Sequence, residues 1–131
     1  MIIDQTLLDE LTAEAKASPR LRMNRDLRNS SWDKSQRMIN AIEPGSILPI
    51  HRHRKSSETV VILRGHLKEF FYDSNGCVTD VFDLTPNGDV IALNIPMEQW
   101  HTAEAVESGT VILESKDGPY EPTGPEDIMA L

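Results

Sequence analysis

His51 and His53 are separated by one residue, and Glu58 follows after four more. In an extended strand, positions i and i+2 face the same way. Two imidazoles therefore share one side of the chain and Arg52 takes the other. A turn after His53 lets the chain return, so Glu58 at the head of the next strand can offer a carboxylate to the same point. Gly45 and Gly65 frame the stretch, and Gly65 permits the tight turn that ends it. His101 is the natural fourth donor, because it follows a break at Pro96 and begins a late strand. Neutral imidazoles and a carboxylate are borderline ligands. They suit Zn, Fe, Mn, Ni, Cu or Co better than Ca or Mg. The expectation is one divalent transition metal ion per chain, with open positions for water or a small molecule.

Other residues are candidates for contact with that molecule. Glu98 is a carboxylate close to His101 in sequence and is the expected general base, with an exposed turn residue as the plain alternative. Arg54 and Lys55 sit between His53 and Glu58, where they could reach the mouth of the fold. Arg37, Asn40, Trp100 and Tyr120 complete the ligand-binding set. Trp100 is read first as a core aromatic. Arg20 and Arg28 are read first as partners of this protein's own acids. His66 lies outside the pattern and is expected at the surface, and Cys77 is expected to be inert.

The elements that must position these groups are mostly short strands. Segments 36–43, 47–53, 58–64, 67–73, 77–84, 90–95, 100–106 and 109–116 alternate with Gly, Pro and Asn. That spacing predicts an all-β barrel or sandwich. Asn75-Gly76 reads as a hairpin turn. Residues 4–17 carry Leu7, Leu8, Leu11 and Ala15 at helical spacing, with Thr6 and Asp9 as the expected cap and Pro19 as the stop. If Glu58 points inward, Val60 and Ile62 do too, leaving an apolar outer face for the helix or a second subunit to cover. Residues 20–35 read as polar and irregular. The expected division is an N-terminal helix and arm over 1–35, a barrel over 36–117 and an extended tail over 118–131.

Composition narrows the function. The 131 residues suit one domain, and 39% hydrophobic with 26% charged is a soluble globular balance. The net charge of −8 argues against a nucleic-acid partner. No apolar run is long enough to cross a membrane. The lone Cys77 fits a reducing cytoplasm. Charge is uneven: residues 1–68 sum to +4 and residues 69–131 to −12, which predicts a basic rim on one side.

Gly45 to Gly65 resembles the first cupin motif, G-x5-H-x-H-x3,4-E-x6-G, at every defined position. In the second motif, G-x5-P-x-G-x2-H-x3-N, Pro96 and His101 keep their separation. Glu98 stands for the middle glycine, Ala105 for the asparagine, and Gly88 lies two residues too far from Pro96. The stretches 18–25, 36–45, 95–101 and 114–120 resemble the WbuC-type cupin-fold metalloproteins. That resemblance implies a single cupin barrel (double-stranded β-helix or jelly roll) with a short N-terminal helix, and a homodimer. It also implies a setting in bacterial O-antigen or surface-polysaccharide biosynthesis. Three functions follow as expectations. One is a metal-dependent isomerase, epimerase or lyase of a small anionic or sugar-derived molecule. The others are an Fe- or Ni-dependent dioxygenase and a non-catalytic small-molecule or saccharide-binding cupin.

Overall fold

The computed structural model describes residues 1–130. The chain forms α1 (Gln5–Ala17), β1 (Arg22–Asp26), β2 (Ser35–Ile42), β3 (Glu58–Arg64) and β4 (Leu67–Tyr72). It continues with β5 (Val78–Leu84), β6 (Ala92–Ile95), β7 (Trp100–Ala105), β8 (Thr110–Asp117) and a 3-10 turn over Pro125–Asp127. A five-stranded sheet runs β1-β2-β8-β3-β6 and a three-stranded sheet runs β5-β4-β7; the strand pairs within each are antiparallel.

Period-two alternation decides what fills the barrel. Ile42 on β2, Val60 and Ile62 on β3, Leu67 and Phe71 on β4 and Ile112 on β8 form one buried apolar cluster. The inward rows then turn polar toward one end of the barrel. Asn40 precedes Ile42, Glu58 precedes Val60, and Glu114 and Lys116 follow Ile112. The ladders hold these rows in step, pairing Glu58 with Lys116 and Gln36 with Lys116. The candidate site lies at this polar end.

The opposite face of β2 and β8 is also buried. Ile39, Ala41 and Val111 pack under Leu7, Leu8, Leu11 and Ala15 of α1, with Leu63 and Leu113 at the edge. The helix therefore covers the outer face of β2 and β8, and reaches β3 only at Leu63 and Arg64. Arg64 pins it there, donating to Asp9 Oδ1 (2.7 Å), Thr12 Oγ1 (3.0 Å) and Gly109 O (2.9 Å). Asp4 caps the helix by accepting from the Leu7 amide at 3.0 Å. The cap is thus Asp4, and Thr6 lies inside the first turn.

Two local expectations change. The segment 47–53 is extended but forms only isolated bridges at His51, with His101 on one side and Ile128 on the other. Residues 22–26, within the stretch read as irregular, form the edge strand β1. Its pairing with β2 is a backbone ladder that needs no apolar alternation. The Asn75-Gly76 hairpin is present: Asp73 Oδ1 accepts from the Asn75 and Cys77 amides, and Gly76 takes φ 81°. No helix among the described residues is long and apolar enough to cross a membrane.

Candidate metal centre

Strand β7, which carries His101, and one isolated bridge at His51 bring the histidines together. His51 exchanges backbone hydrogen bonds with His101, N to O at 3.0 Å and 2.9 Å. His53 lies two residues on and faces the same way. The turn 54–57 returns the chain to Glu58, the first residue of β3. The ligand nitrogens of His51, His53 and His101 all lie within 4.8 Å of one another. Glu58 Oε2 sits 3.4 Å from His53 Nε2 and 3.7 Å from His101 Nε2. All four expected ligands therefore converge at the polar end of the barrel.

The outer hydrogen bonds set the tautomers. His51 Nδ1 donates to Pro49 O and His101 Nδ1 donates to Gln99 O, each at 2.9 Å. A proton held on Nδ1 leaves the Nε2 lone pair free, which is how a metal-binding imidazole is prepared. Burial, with His101 close by, pushes the His51 imidazole down to about 4, so His51 is neutral at pH 7. Burial alone would raise the Glu58 carboxyl, but the His101 and His53 imidazoles hold it well below the usual range. Neutral nitrogen donors facing an ionised carboxylate form a donor set that fits a borderline divalent ion.

The expected turn carboxylate behaves differently. Glu98 is exposed, takes φ 69° and donates its amide to His53 O at 2.7 Å. It occupies the place of the middle glycine in the second cupin motif, and this left-handed backbone is the reason that motif favours glycine there. Glu98 thus closes the turn that presents His101, and its side chain lines none of the cavities described here.

Two carboxyls that the motifs do not point to face the interior instead. A cavity of about 50 Å³ behind the histidines is walled by Asn40, His51, Glu58, Glu69, His101 and Glu114, among others. Glu69 is 3% exposed. Burial and the nearby Glu58 and Glu114 push its carboxyl well above the ordinary range. Burial and Glu58 raise Glu114 to about 8. Asn40 Oδ1 is buried there with no hydrogen-bond partner. Strand parity is the signal that could have found these acids, since Glu69 stands between the inward Leu67 and Phe71.

Outside the histidines lies a larger cavity of about 340 Å³, between the 52–56 turn and the C-terminal tail. Arg54 and Lys55 line it, but Arg54 and Arg52 both bind Asp127 Oδ1, at 2.6 Å and 3.0 Å. The tail is also held through its backbone, Arg52 N to Asp127 O at 3.0 Å and Met129 N to Ile50 O at 2.8 Å. Trp100 is half-buried under the Arg52 guanidinium, 4.6 Å from the ring centroid. Tyr120 is exposed with Arg28 above it, and Arg37 pairs with Asp33 at 3.2 Å. Arg28 makes a two-pronged pair with Asp26. Cys77 is exposed and free. His66 bonds Asp83 at 2.6 Å, away from the site.

A family model described as a domain of unknown function, DUF6016, matches residues 3–84. The chain belongs to this family. The matched part of the DUF6016 chain holds His51, His53 and Glu58, and His101 lies beyond it. No curated protein matches the sequence. Solved structures with a similar fold include the capsular polysaccharide assembling protein CapF from Staphylococcus aureus. It is 20% identical, with TM-score 0.64, over 87% of this chain and 32% of CapF. Oxalate oxidase in complex with the substrate analogue glycolate is 15% identical, with TM-score 0.63, over 78% and 53%. A cupin 2 domain-containing protein from Halorhodospira halophila is 19% identical, with TM-score 0.62, over 79% and 68%. The DUF6016 chain thus spans about a third of CapF and about half of oxalate oxidase. At these identities the likeness establishes the cupin fold.

Proposed function

We propose that this DUF6016 protein is a metal-dependent cupin in which His51, His53, Glu58 and His101 hold one divalent transition metal ion. It acts on a small anionic or sugar-derived molecule as an isomerase, epimerase or lyase. The observation that carries the reading is the preset tautomer of His51 and His101, whose Nε2 lone pairs turn inward beside an ionised Glu58. An ion bound there supplies Lewis acidity to a carbonyl or hydroxyl oxygen.

The chain's own residues do the rest. Glu114 and Glu69 line the interior cavity with carboxyls raised by burial, Glu114 to about 8, and are the groups placed to exchange a proton with a bound molecule. Glu98 keeps His101 in place through its turn. Val60 and Ile112 keep bulk water from the inner wall. The WbuC-type stretches, together with the similarity of fold to a capsular polysaccharide assembling protein, support a place in bacterial surface-polysaccharide biosynthesis. The free, exposed Cys77 is consistent with a cytoplasmic setting.

Metal analysis of the purified protein tests the reading first. We expect close to one transition metal ion per chain, and its absence after attempted reconstitution refutes the site. A redox-inert ion, with proton exchange by NMR on candidate sugars, supports the isomerase class. Tightly held iron or nickel with oxygen uptake favours a dioxygenase.

A further inference from the structure

Two cations of the outer cavity, Lys55 at the rim and Lys116 further in, have no ion-pair partner among the described residues. Lys116 lies at the inner end of β8, half-buried, across the ladder from Glu58 on one side and Gln36 on the other. It lines the 340 Å³ cavity together with His53 and Lys55. No carboxylate among the described residues comes within ion-pair distance of its ammonium. The other charges of the wall are accounted for. Arg52 and Arg54 share Asp127. Asp117 accepts from the Ser57 amide at 2.8 Å, and the Gln36 amide donates to Gly118 O at 2.9 Å. Lys55, Glu121 and Glu126 stand exposed at the rim, where water screens them. Glu58 and Glu114 act on Lys116 through space but make no ion pair with it, and Glu58 is engaged by His53 and His101.

An ammonium that faces a cavity with no carboxylate in ion-pair contact can receive an anionic group there. We propose that the outer cavity seats a small ligand carrying a phosphate or carboxylate group, and that Lys116 is its principal counter-charge. The volume falls at the low end of small-molecule sites and suits a single sugar-sized molecule. The inference deepens the metal reading and rests on it in one respect: the far end of such a ligand, past His53, meets the metal centre. A divalent ion on three neutral imidazoles and one carboxylate would leave that end positive and add to the field of Lys116.

Inorganic phosphate is the probe. Calorimetric titration of the metal-loaded native protein should show one phosphate per chain. Lys116→Gln should weaken it at least tenfold with metal content unchanged, Lys116→Arg should stay within about threefold, and Lys34→Gln should leave it unaltered. Methyl glucoside, which carries no charge, should be indifferent to Lys116→Gln. In native protein with 13C-labelled lysine, phosphate should shift the Lys116 side-chain resonance, a readout that needs no variant. Absence of phosphate binding, or binding unchanged in Lys116→Gln, overturns the proposal even if metal is present. Phosphate binding that depends on Lys116 in a protein that takes up no metal supports the cavity and sinks the metal reading alone.

Discussion

Replacing Glu58 by Gln tests the centre most directly, because the change keeps shape and removes charge. Glu58 is 8% exposed and faces two imidazole nitrogens. Losing an outer hydrogen-bonded partner of a metal ligand costs ~10–100-fold in affinity, so losing the one carboxylate of the set should cost roughly 100-fold, or about 2.7 kcal/mol. A ligand that binds only the folded state stabilises it by RT ln(1 + [L]/Kd), about 4.1 kcal/mol at roughly 1,000 times Kd. The variant should keep only about 1.4 kcal/mol of that at the same metal concentration. A chain of 131 residues has an unfolding entropy near 0.28 kcal/mol per kelvin, so the metal-induced rise in Tm should shrink by about 10 °C. The quantity compared is the shift on adding metal, so any effect of the substitution on the metal-free protein cancels. The assay is thermal unfolding with and without Zn, beside metal analysis after dialysis. Glu98→Gln is the control, since Glu98 is exposed and acts through its backbone. Equal losses in the two variants would refute the assignment and make Glu98 a ligand.

Three further outcomes follow from the structure. In metal-free protein, Glu114 titrates at about 8 against an ordinary 4.5, so the folded state holds a proton that the unfolded state releases. Stability from this group is full below the unfolded value and falls as pH rises, by about 1 kcal/mol between roughly pH 6.5 and 7.5. Urea unfolding in a chelator should show that decline in the native protein and a flatter profile in Glu114→Gln. His51 acts in the opposite sense: lowered to about 4 from 6.5, it adds stability as pH rises between those values and contributes no slope above them. Gly65 has φ +88°, and a Cβ there would lie 2.6 Å from Thr110 Cα. The backbone of β8 must shift to admit it, so Gly65→Ala should lose at least ~3 kcal/mol in urea unfolding.

Much of the architecture was legible in the residues. Alternation in 58–64 placed Glu58, Val60 and Ile62 inside and Thr59 outside, because a strand has only two faces. The Leu7, Leu8, Leu11 and Ala15 stripe predicted a helix with one buried face, and Asn75-Gly76 predicted a hairpin. Edge strand β1 was not legible, since its sequence, Arg-Met-Asn-Arg-Asp, carries no apolar alternation and its ladder is made by backbone groups common to every residue. Nor was the bridge at His51, which depends on Ile128, some 77 positions further along the chain.

At the site, spacing by itself determined that His51, His53 and Glu58 could meet, because a short turn between two strands leaves little choice. It also nominated His101, although the surrounding motif is degenerate. Only the tertiary structure decided the rest. Glu98 serves the turn with its backbone, and the acids that face the interior are Glu69 and Glu114, from strands in different sheets. Arg54 is matched by Asp127 from the far end of the chain, while Lys116 is left facing the cavity. Each of these outcomes depends on which distant charges fold into contact. Pairing at that range is a property of strand register and tail placement, which local residue order does not encode.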